Sequence, residues 1–235
     1  MLYGRWVVMV RTYVVNIEKL EEETVFQAAI PAVSSYRREK ISVLKNGKDR
    51  CRSLGAALAL DAALQFYGLC EKTMEYVLGN QGKPMFRDYP KLHFSLSHSG
   101  DYAICSMGAQ EVGNDIERVR SGKLRVADRF FTEEEKAWLY RAELPEEQES
   151  RMFRLWTMKE SFLKVTGLGM SLSLRDFTVF IEEDGAVRLH HTLNDKQYYM
   201  KEYTLSGVFR EKTGYKISVC CEAPDFAPEP KAVLL

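Results

Sequence analysis

Two acidic residues, Asp115 and Glu117, are separated by one residue in a short segment rich in strand-forming side chains. Successive side chains of a strand point to opposite faces, so this spacing predicts that both carboxylates share one face. A third carboxylate, Glu160, lies in a segment with a helical pattern, and we expect it to converge on the same point. Carboxylates without Cys or His suit Mg²⁺ or Mn²⁺ better than Zn²⁺. Because protein-bound Mg²⁺ often shares its ligands with a substrate phosphate, the pattern indicates phosphate chemistry.

The helix predicted over 151–165 carries Glu160 and Lys164 one turn apart. Two interpretations of this pair are open. It can be a surface ion pair, which stabilises a helix by a few tenths of a kcal/mol, roughly 0.2–0.5. It can instead be a functional pair, and the presence of Asp115 and Glu117 favours this interpretation. At 3.6 residues per turn, the helix has two apolar faces and we expect it to be buried on both sides. One face carries Leu155, Met158, Phe162 and Val165, and the opposite one carries Phe153 and Trp156 beside Glu160 and Lys164.

A basic segment between Arg37 and Arg52 contains seven Lys and Arg residues and two acids. Such a run is usually a solvated face. In a chain with zero formal net charge, it is also suited to hold a polyphosphate, together with Lys83 and the Ser97–His98 pair, because Lys and Arg give charge-assisted hydrogen bonds to phosphate. A small nucleotide fits this patch better than a nucleic acid, which needs a longer basic footprint.

His98 lies between two serines, which raises the question of a hydrolase. The nucleophile motif GxSxG is absent, and no acid is placed to orient the histidine, so we favour a set of phosphate donors. The alternative for His98 is an ordinary surface turn. The other three histidines show no metal-binding spacing and are treated as structural.

The bulk properties are those of a globular protein with 235 residues, enough for one large domain or two of about 110 residues. No apolar run reaches the roughly 18 residues of a membrane-spanning helix, and the first apolar segment predicts a strand and not a signal peptide. Five cysteines without CxxC spacing indicate reduced thiols and a cytoplasmic location.

The order of predicted elements suggests an α+β protein of two pseudo-symmetric halves, each a small antiparallel sheet packed with helices. Thr132 and Glu135 form a predicted capping box before the second half's first helix. The predicted strands are 7–17, 92–96, 102–107, 112–119, 177–182, 197–205 and 215–221; the predicted helices include 18–26, 50–67 and 151–165, and 97–100 is a predicted loop.

Together, these segments resemble the Sfp-type 4′-phosphopantetheinyl transferases. The resemblance extends from about residue 9 to residue 225, and the order and spacing of its motifs make it specific. The matching stretches are Arg37-Arg38-Glu39-Lys40, Gly82-Lys83-Pro84, Phe94-Ser95-Leu96-Ser97-His98-Ser99-Gly100, Gly113-Asn114-Asp115-Ile116-Glu117, Arg129-Phe130-Phe131 and Trp156-Thr157-Met158-Lys159-Glu160.

The resemblance implies an enzyme that moves the phosphopantetheine arm of coenzyme A onto a serine of an acyl, peptidyl or aryl carrier protein and releases 3′,5′-ADP. It implies a monomer with the active site between two similar halves. We assign residues 1–111 to a half that binds the phosphates of coenzyme A. Residues 112–235 form the half with the metal site and the catalytic helix.

The resemblance also implies roles for single residues. Asp115, Glu117 and Glu160 would hold Mg²⁺, and Glu160 or a metal-bound water would take the proton from the carrier serine. Lys164 would protonate the leaving phosphate, and Lys159 would aid phosphate binding. The residues implied in coenzyme A binding are Arg37, Lys40 and Arg52 at its phosphates, Ser97 and His98 at the 3′-phosphate, and Lys83 with Pro84 against the nucleotide.

Two alternatives stay open from the sequence: a Mg²⁺-dependent phosphohydrolase that uses the same carboxylates, and a silent module that binds a nucleotide or coenzyme A. Asn114 departs from the family pattern, which has an apolar residue there. We expect its side chain to point away from the two acids, because neighbouring strand residues alternate between faces.

Overall fold

The structure is a computed structural model, and it describes residues 9–205 and 214–235. The described residues form six α-helices and eleven strands, which confirms the α+β prediction. The helices are α1 (Glu23–Ala29), α2 (Ser35–Ser42), α3 (Gly47–Gln65), α4 (Arg125–Phe130), α5 (Glu133–Tyr140) and α6 (Pro145–Thr166). The strands are β1 (Arg11–Asn16), β2 (Tyr76–Leu78), β3 (Pro84–Phe86), β4 (His93–Ser99), β5 (Tyr102–Gly108), β6 (Val112–Arg118), β7 (Phe177–Ile181), β8 (Val187–His191), β9 (Tyr199–Tyr203), β10 (Tyr215–Cys221) and β11 (Lys231–Val233).

Two sheets carry the fold, and each is covered by one long helix. The first sheet has the order β11-β1-β5-β4 and packs against α3, while the second has the order β6-β10-β9 and packs against α6. All pairs in both sheets are antiparallel except β1 with β11, which are parallel. Because β11 lies near the C-terminus, the end of the chain returns to the sheet of the first half. The division of the chain at residue 111 stays a prediction.

The alternation of side chains along β1 builds two cores. Tyr13 and Val15 point to the helix side and pack in a cluster with residues of α3. Val14 points to the other side and packs with Ile116 and Ile217 of the second sheet. The layers therefore run from α3 through the first sheet and the second sheet to α6.

The helix ends follow the sequence signals. The side chain of Asn46 accepts hydrogen bonds from the backbone at Lys48 and Asp49 and so begins α3. The predicted capping box of Thr132 and Glu135 is present at the start of α5. Helix α6 ends at Gly167, whose φ of +66° is the left-handed conformation that glycine adopts at low cost.

The structure differs from the predicted elements at residues 97–100 and at β8. The predicted loop 97–100 is wrong, because β4 continues to Ser99 and only Gly100 and Asp101 connect it to β5. Strand β8 was not expected from the sequence, and it pairs with β7 in a separate hairpin. The first part of the strand predicted over 7–17 lies outside the described residues.

Among the described residues, no helix combines the length and the apolar composition that a membrane span requires. All five cysteines are free thiols.

Candidate active site

The terminal strands of the two sheets, β4 and β6, lie against each other, and serine side chains of β4 replace the usual ladder of backbone hydrogen bonds there. Serines at alternate positions of β4 accept hydrogen bonds from alternate backbone N–H groups of β6. An edge strand otherwise presents unpaired backbone groups, so these hydroxyls satisfy β6 and fix its register against β4. The donors and acceptors are Asn114 N to Ser95 Oγ at 3.0 Å, Ile116 N to Ser97 Oγ at 3.4 Å and Arg118 N to Ser99 Oγ at 3.1 Å.

Two of these serines also hold the predicted metal ligands. Ser97 Oγ donates to Asp115 Oδ1 at 2.7 Å, and Ser99 Oγ donates to Glu117 Oε2 at 2.7 Å. Asn114 points to the opposite side, where its amide donates to Ser95 O and to the hydroxyl of Ser106. The sequence prediction that the amide of Asn114 points away from the two acids matches this arrangement.

Gly113 allows α6 to lie unusually close to β6. A Cβ atom at this position would stand 1.9 Å from the carbonyl oxygen of Ser161 and 2.5 Å from the backbone nitrogen of Val165. Both distances are far below van der Waals contact, so any side chain there would push the helix away. The absence of a side chain at Gly113 therefore brings the helix residues Glu160 and Lys164 to the acids of β6.

Lys164 contacts β6 directly. Its Nζ donates to Asp115 Oδ1 and to the carbonyl oxygen of Asn114, both at 2.9 Å. No ion pair joins Lys164 to Glu160 among the described residues, so the surface-pair interpretation does not hold. The ammonium group of Lys164 instead pairs with Asp115 on the strand.

Glu160 makes no hydrogen bond or ion pair with the part of the chain that the structure describes. Desolvation raises its pKa above the usual 4.5, and the negative charges of Asp115 and Glu117 add to this shift, while Lys164 opposes it. Asp115 and Glu117 are thus close enough to Glu160 to raise its pKa. A half-buried carboxylate with a raised pKa and a free acceptor is suited to accept a proton.

The acidic group has the features expected of a cation site. Asp115 Oδ2 is buried and accepts no hydrogen bond from the described residues. The pKa of Glu117 is raised by burial and by the charge of Asp115, so a bound cation would relieve the repulsion within the group. Residues 9–205 and 214–235 contain no three Asp, Glu, His or Cys side chains already arranged to hold a metal. The three-carboxylate metal site therefore stays a prediction that fits the donor set.

A cleft of about 460 Å³ adjoins this group and is lined by both halves of the chain. The first half contributes Arg37, Lys83 and Pro84, and the second contributes Glu160 and Lys164. The structure thus brings residues from distant parts of the sequence to one concave surface, which is the usual form of a small-molecule site.

Arg37 is a buried cation on the wall of the cleft. Its side chain lies near the rings of Tyr36 and Tyr76 and 3.8 Å from the carboxylate of Glu71. Its Nε and Nη2 groups are buried and have no hydrogen-bond partner among the described residues. Buried donors without partners are costly, so Arg37 is suited to an anionic ligand that would satisfy them.

The other basic residues of the first half are less enclosed. Lys40 is exposed, with its Nζ over the ring of Tyr36. Arg52 donates to the carbonyl oxygen of Gly100 and pairs with Asp49. The pKa of His98 is lowered by desolvation and then by the nearby charges of Arg52 and Lys164. His98 and Arg52 therefore share one positive region with Lys164.

Ser97 does not fit the phosphate-binding role that the resemblance implied. Its side chain is buried, and a hydroxyl group has one hydrogen to donate, which Asp115 receives. Ser97 therefore supports Asp115, a predicted metal ligand. Ser99 has the same function for Glu117 and was not singled out from the sequence, although the alternation of Ser95, Ser97 and Ser99 was a signal that could have identified it.

Lys159 also lies away from the cleft, contrary to the prediction that it aids phosphate binding. Its fully buried ammonium group donates to Glu135 at 2.5 Å and to the carbonyl oxygen of Phe177 at 2.9 Å. The physical reason is the helix geometry, which turns Lys159 about 100° from its neighbour Glu160. Lys159 joins α6 to α5 and β7, where Glu135 also belongs to the capping box.

Comparison of the sequence with known proteins identifies the family. Residues 111–220 match the model of the 4′-phosphopantetheinyl transferase superfamily. The chain is 35% identical over 195 residues to the 4′-phosphopantetheinyl transferase Sfp of Bacillus subtilis, covering 83% of this chain and 84% of that protein. A 4′-phosphopantetheinyl transferase of Bacillus pumilus is 34% identical over 171 residues, with 73% and 70% covered. Among solved structures, a holo-(acyl-carrier-protein) synthase of Bacillus anthracis has 15% identity and a TM-score of 0.39, covering 47% of this chain and 92% of that one.

The chain therefore belongs to the 4′-phosphopantetheinyl transferase superfamily. Its similarity to Sfp over most of both chains confirms the Sfp-type assignment, and with it the prediction of an enzyme, a 4′-phosphopantetheinyl transferase.

Proposed function

We propose that the protein transfers 4′-phosphopantetheine from coenzyme A to a serine of an apo carrier protein and releases 3′,5′-ADP, with Mg²⁺ held by Asp115, Glu117 and Glu160. The observation that carries this proposal is the cleft lined by Glu160, Lys164 and Arg37, two of whose buried donors have no hydrogen-bond partner among the described residues. Relatives with about a third of their residues in common are named 4′-phosphopantetheinyl transferases, which supports the same reaction.

In this reaction the serine oxygen forms a bond to the phosphorus that carries the pantetheine arm. The bond from that phosphorus to the bridging oxygen of the pyrophosphate breaks, and the bridging oxygen leaves with 3′,5′-ADP. The serine proton passes to the carboxylate of Glu160, which has no competing hydrogen bond among the described residues. The ammonium of Lys164 gives a proton to the leaving phosphate.

The chain supplies the electrostatic part of the reaction. Most of the catalysis in transfers at phosphorus comes from positioning groups and stabilising developing charge. When bound, Mg²⁺ would neutralise charge on the pyrophosphate. The free oxygen of Asp115 and the raised pKa values of Glu117 and Glu160 fit this cation. Ser97 and Ser99 orient two of the carboxylates before any ligand arrives.

Coenzyme A would be held by the positive side of the cleft. Arg37 offers two buried donors without partners, and phosphate oxygens accept such charge-assisted bonds well. Arg52 and His98 lie in the same positive region as Lys164, which suits the 3′-phosphate. Lys40 is exposed next to Tyr36, and we assign it an outer contact to a phosphate.

The proposal is tested by incubating the protein with coenzyme A, Mg²⁺ and a panel of apo carrier proteins and weighing each carrier. We expect a mass gain equal to phosphopantetheine, and no gain for a carrier whose serine is replaced by alanine. Glu160→Gln should lower the rate by roughly 10²–10⁴-fold if it removes the general base. Glu147→Gln, on the same helix but paired with Arg151, is the matched control.

The outcomes separate the proposal from its alternatives. Release of 3′,5′-ADP at the same rate without a carrier would indicate a phosphohydrolase. Binding of coenzyme A without any product from any carrier would indicate a silent binding module. Either result, obtained with folded protein, would overturn the proposed transfer.

We further propose that the protein acts as a monomer in the cytoplasm and does not bind nucleic acid. The cleft is lined by both halves of one chain, so a second copy is not needed to complete it. Five free thiols suit a reducing compartment. Light scattering during size-exclusion chromatography, with and without coenzyme A, tests the monomer, and a dimer that forms on binding would contradict it.

A further inference from the structure

Lys83 lies on the wall of the cleft, but its ammonium group is fully occupied by the protein. Its Nζ donates to Glu111 Oε2 at 2.6 Å, to the carbonyl oxygen of Lys164 at 2.9 Å and to that of Val112 at 3.2 Å. A lysine ammonium has three hydrogens to donate. All three are used, so none is left for a phosphate of a ligand in the cleft.

The two carbonyl groups belong to the elements that carry the chemistry. Val112 is the first residue of β6, and Lys164 lies in the last turn of α6, where backbone carbonyls have no partner within the helix. A cation at the C-terminal end of a helix also interacts favourably with the helix dipole. Lys83, which immediately precedes β3, therefore links the hairpin of the first half to both catalytic elements of the second half.

Lys164 is held from both of its ends. Its carbonyl oxygen accepts from Lys83, while its own ammonium donates to Asp115 and to the carbonyl oxygen of Asn114. Lys83 and Lys164 thus bridge α6 and β6 at two adjacent points of the same strand edge. A shift of the Lys83 bridge would move the backbone from which the Lys164 side chain reaches the acids.

Glu111 provides the negative charge that keeps Lys83 in this place. Its other oxygen, Oε1, lies 2.9 Å from Nδ1 of His93 on β4. Burial alone would raise the pKa of Glu111, but the hydrogen bonds from His93 and Lys83 and their charges lower it to about 2. Glu111 is therefore ionised at neutral pH and satisfied on both oxygens.

We propose that Lys83, neutralised by Glu111, is a positioning residue that fixes the Lys164 backbone for the transfer, and that its ammonium is not a ligand of the coenzyme phosphates. This inference rests on the proposed function and revises the part that Lys83 plays in it. Contact with the nucleotide is then limited to the aliphatic stem of Lys83 and to Pro84.

The test compares Lys83→Met and Glu111→Gln with Lys196→Met. Methionine keeps the length of the lysine stem without its charge, and glutamine keeps an acceptor without the negative charge. Lys196 is the matched control, because it pairs with Glu222 at 2.6 Å on a neighbouring surface and makes no hydrogen bond to α6 in the part of the chain that the structure describes. We expect Lys83→Met to lower kcat by about tenfold, which corresponds to about 1.4 kcal/mol, with the KM for coenzyme A within about twofold of the parent. Lys196→Met should change neither.

Glu111→Gln separates positioning from phosphate binding. Loss of the negative charge loosens the Lys83 bridge, so we expect a smaller decrease in kcat and no tighter binding of coenzyme A or 3′,5′-ADP in titration calorimetry. If Lys83 were a phosphate ligand restrained by Glu111, this variant would bind both compounds more tightly, and Lys83→Met would bind them about tenfold more weakly at unchanged kcat. Either of those two results would overturn the proposal.

A double-mutant cycle tests whether Lys83 acts through Lys164. In a Lys164→Ala background, Lys83→Met should add less than about a twofold decrease in rate, because the group being positioned is gone. An undiminished tenfold effect in that background would contradict the inference.

Hydrogen exchange provides a readout that does not depend on transfer. Lys83→Met should increase amide exchange in the last turn of α6, whereas Lys196→Met should not. Unchanged exchange would overturn the positioning role even if the protein proved to be an active transferase. Faster exchange in a variant of a protein that modifies no carrier would instead support the Lys83 bridge and contradict the proposed function.

Discussion

The hydroxyl of Ser97 donates a 2.7 Å hydrogen bond to Asp115 across the edge where the two sheets meet. The same oxygen accepts from the backbone N–H of Ile116, so one side chain both satisfies the strand and orients its carboxylate. We call this serine-mediated contact between β4 and β6 the seam. It couples the register of the two strands to the geometry of the acidic group. Changes in the packing of the first sheet should therefore alter the positions of Asp115 and Glu117, the proposed metal ligands on β6.

Ser97→Ala should destabilise the protein by about 1–3 kcal/mol, because it leaves a buried carboxylate oxygen and a buried N–H group with fewer partners. Urea unfolding measures the loss. Ser42→Ala is the control, since Ser42 is exposed and its hydroxyl, among the described residues, donates to the carbonyl of Glu39 and to no other group. Equal stability of the two variants would mean that the seam does not depend on this hydroxyl.

Gly113→Ala should be among the most damaging of the small substitutions. The new methyl group would meet the backbone of α6 and not a flexible side chain, so helix and strand must separate. Overpacking of this kind costs roughly 1–3 kcal/mol, and more where backbone must move. We expect a lower melting temperature and a loss of transfer, because Glu160 and Lys164 move with the helix. Gly47→Ala is the control, as a Cβ there meets nothing within 4 Å.

Lys159→Met should act on stability and not on coenzyme binding. The substitution removes one partner of a buried pair and leaves Glu135 without its countercharge, at a cost of about 3–5 kcal/mol. The pair of Lys136 with the exposed Glu133 is the comparison, since Lys136→Met should cost less than about 1 kcal/mol. Denaturant unfolding and the KM for coenzyme A are the two measurements. A raised KM at unchanged stability would restore the phosphate-binding role.

Glu160→Gln should make the metal-free protein more stable while it removes activity. Burial raises the pKa of Glu160 in the folded state, so the stability that its protonated form contributes is lost as the pH rises from 4.5 through the folded pKa. Glutamine cannot ionise and escapes this loss. In the presence of a chelator, the stability difference between variant and parent should therefore grow with pH above 4.5. Melting temperatures measured from pH 4 to pH 8 test this, and a difference that shrinks with rising pH would contradict the assignment.

The family and the types of side chain in the candidate site could be predicted from sequence motifs. The alternation of Asp115 and Glu117 predicted that they share a strand face, and the helical spacing of Glu160 and Lys164 predicted that they share a helix face. These are local periodicities, which a strand and a helix impose on neighbouring residues. The capping box at Thr132 and the glycine that ends α6 follow from equally local rules.

The partners of these polar groups depend on how the helices and strands pack. Lys159 and Lys164 are two lysines of the same helix, yet Lys159 is buried against Glu135 and Lys164 reaches Asp115. Ser97 became a support for a carboxylate, and Lys83 became a bridge between β6 and α6, because their partners come from strands and helices distant in the chain. Hydrogen-bond partners of this kind depend on how whole elements pack, and no local spacing encodes that packing.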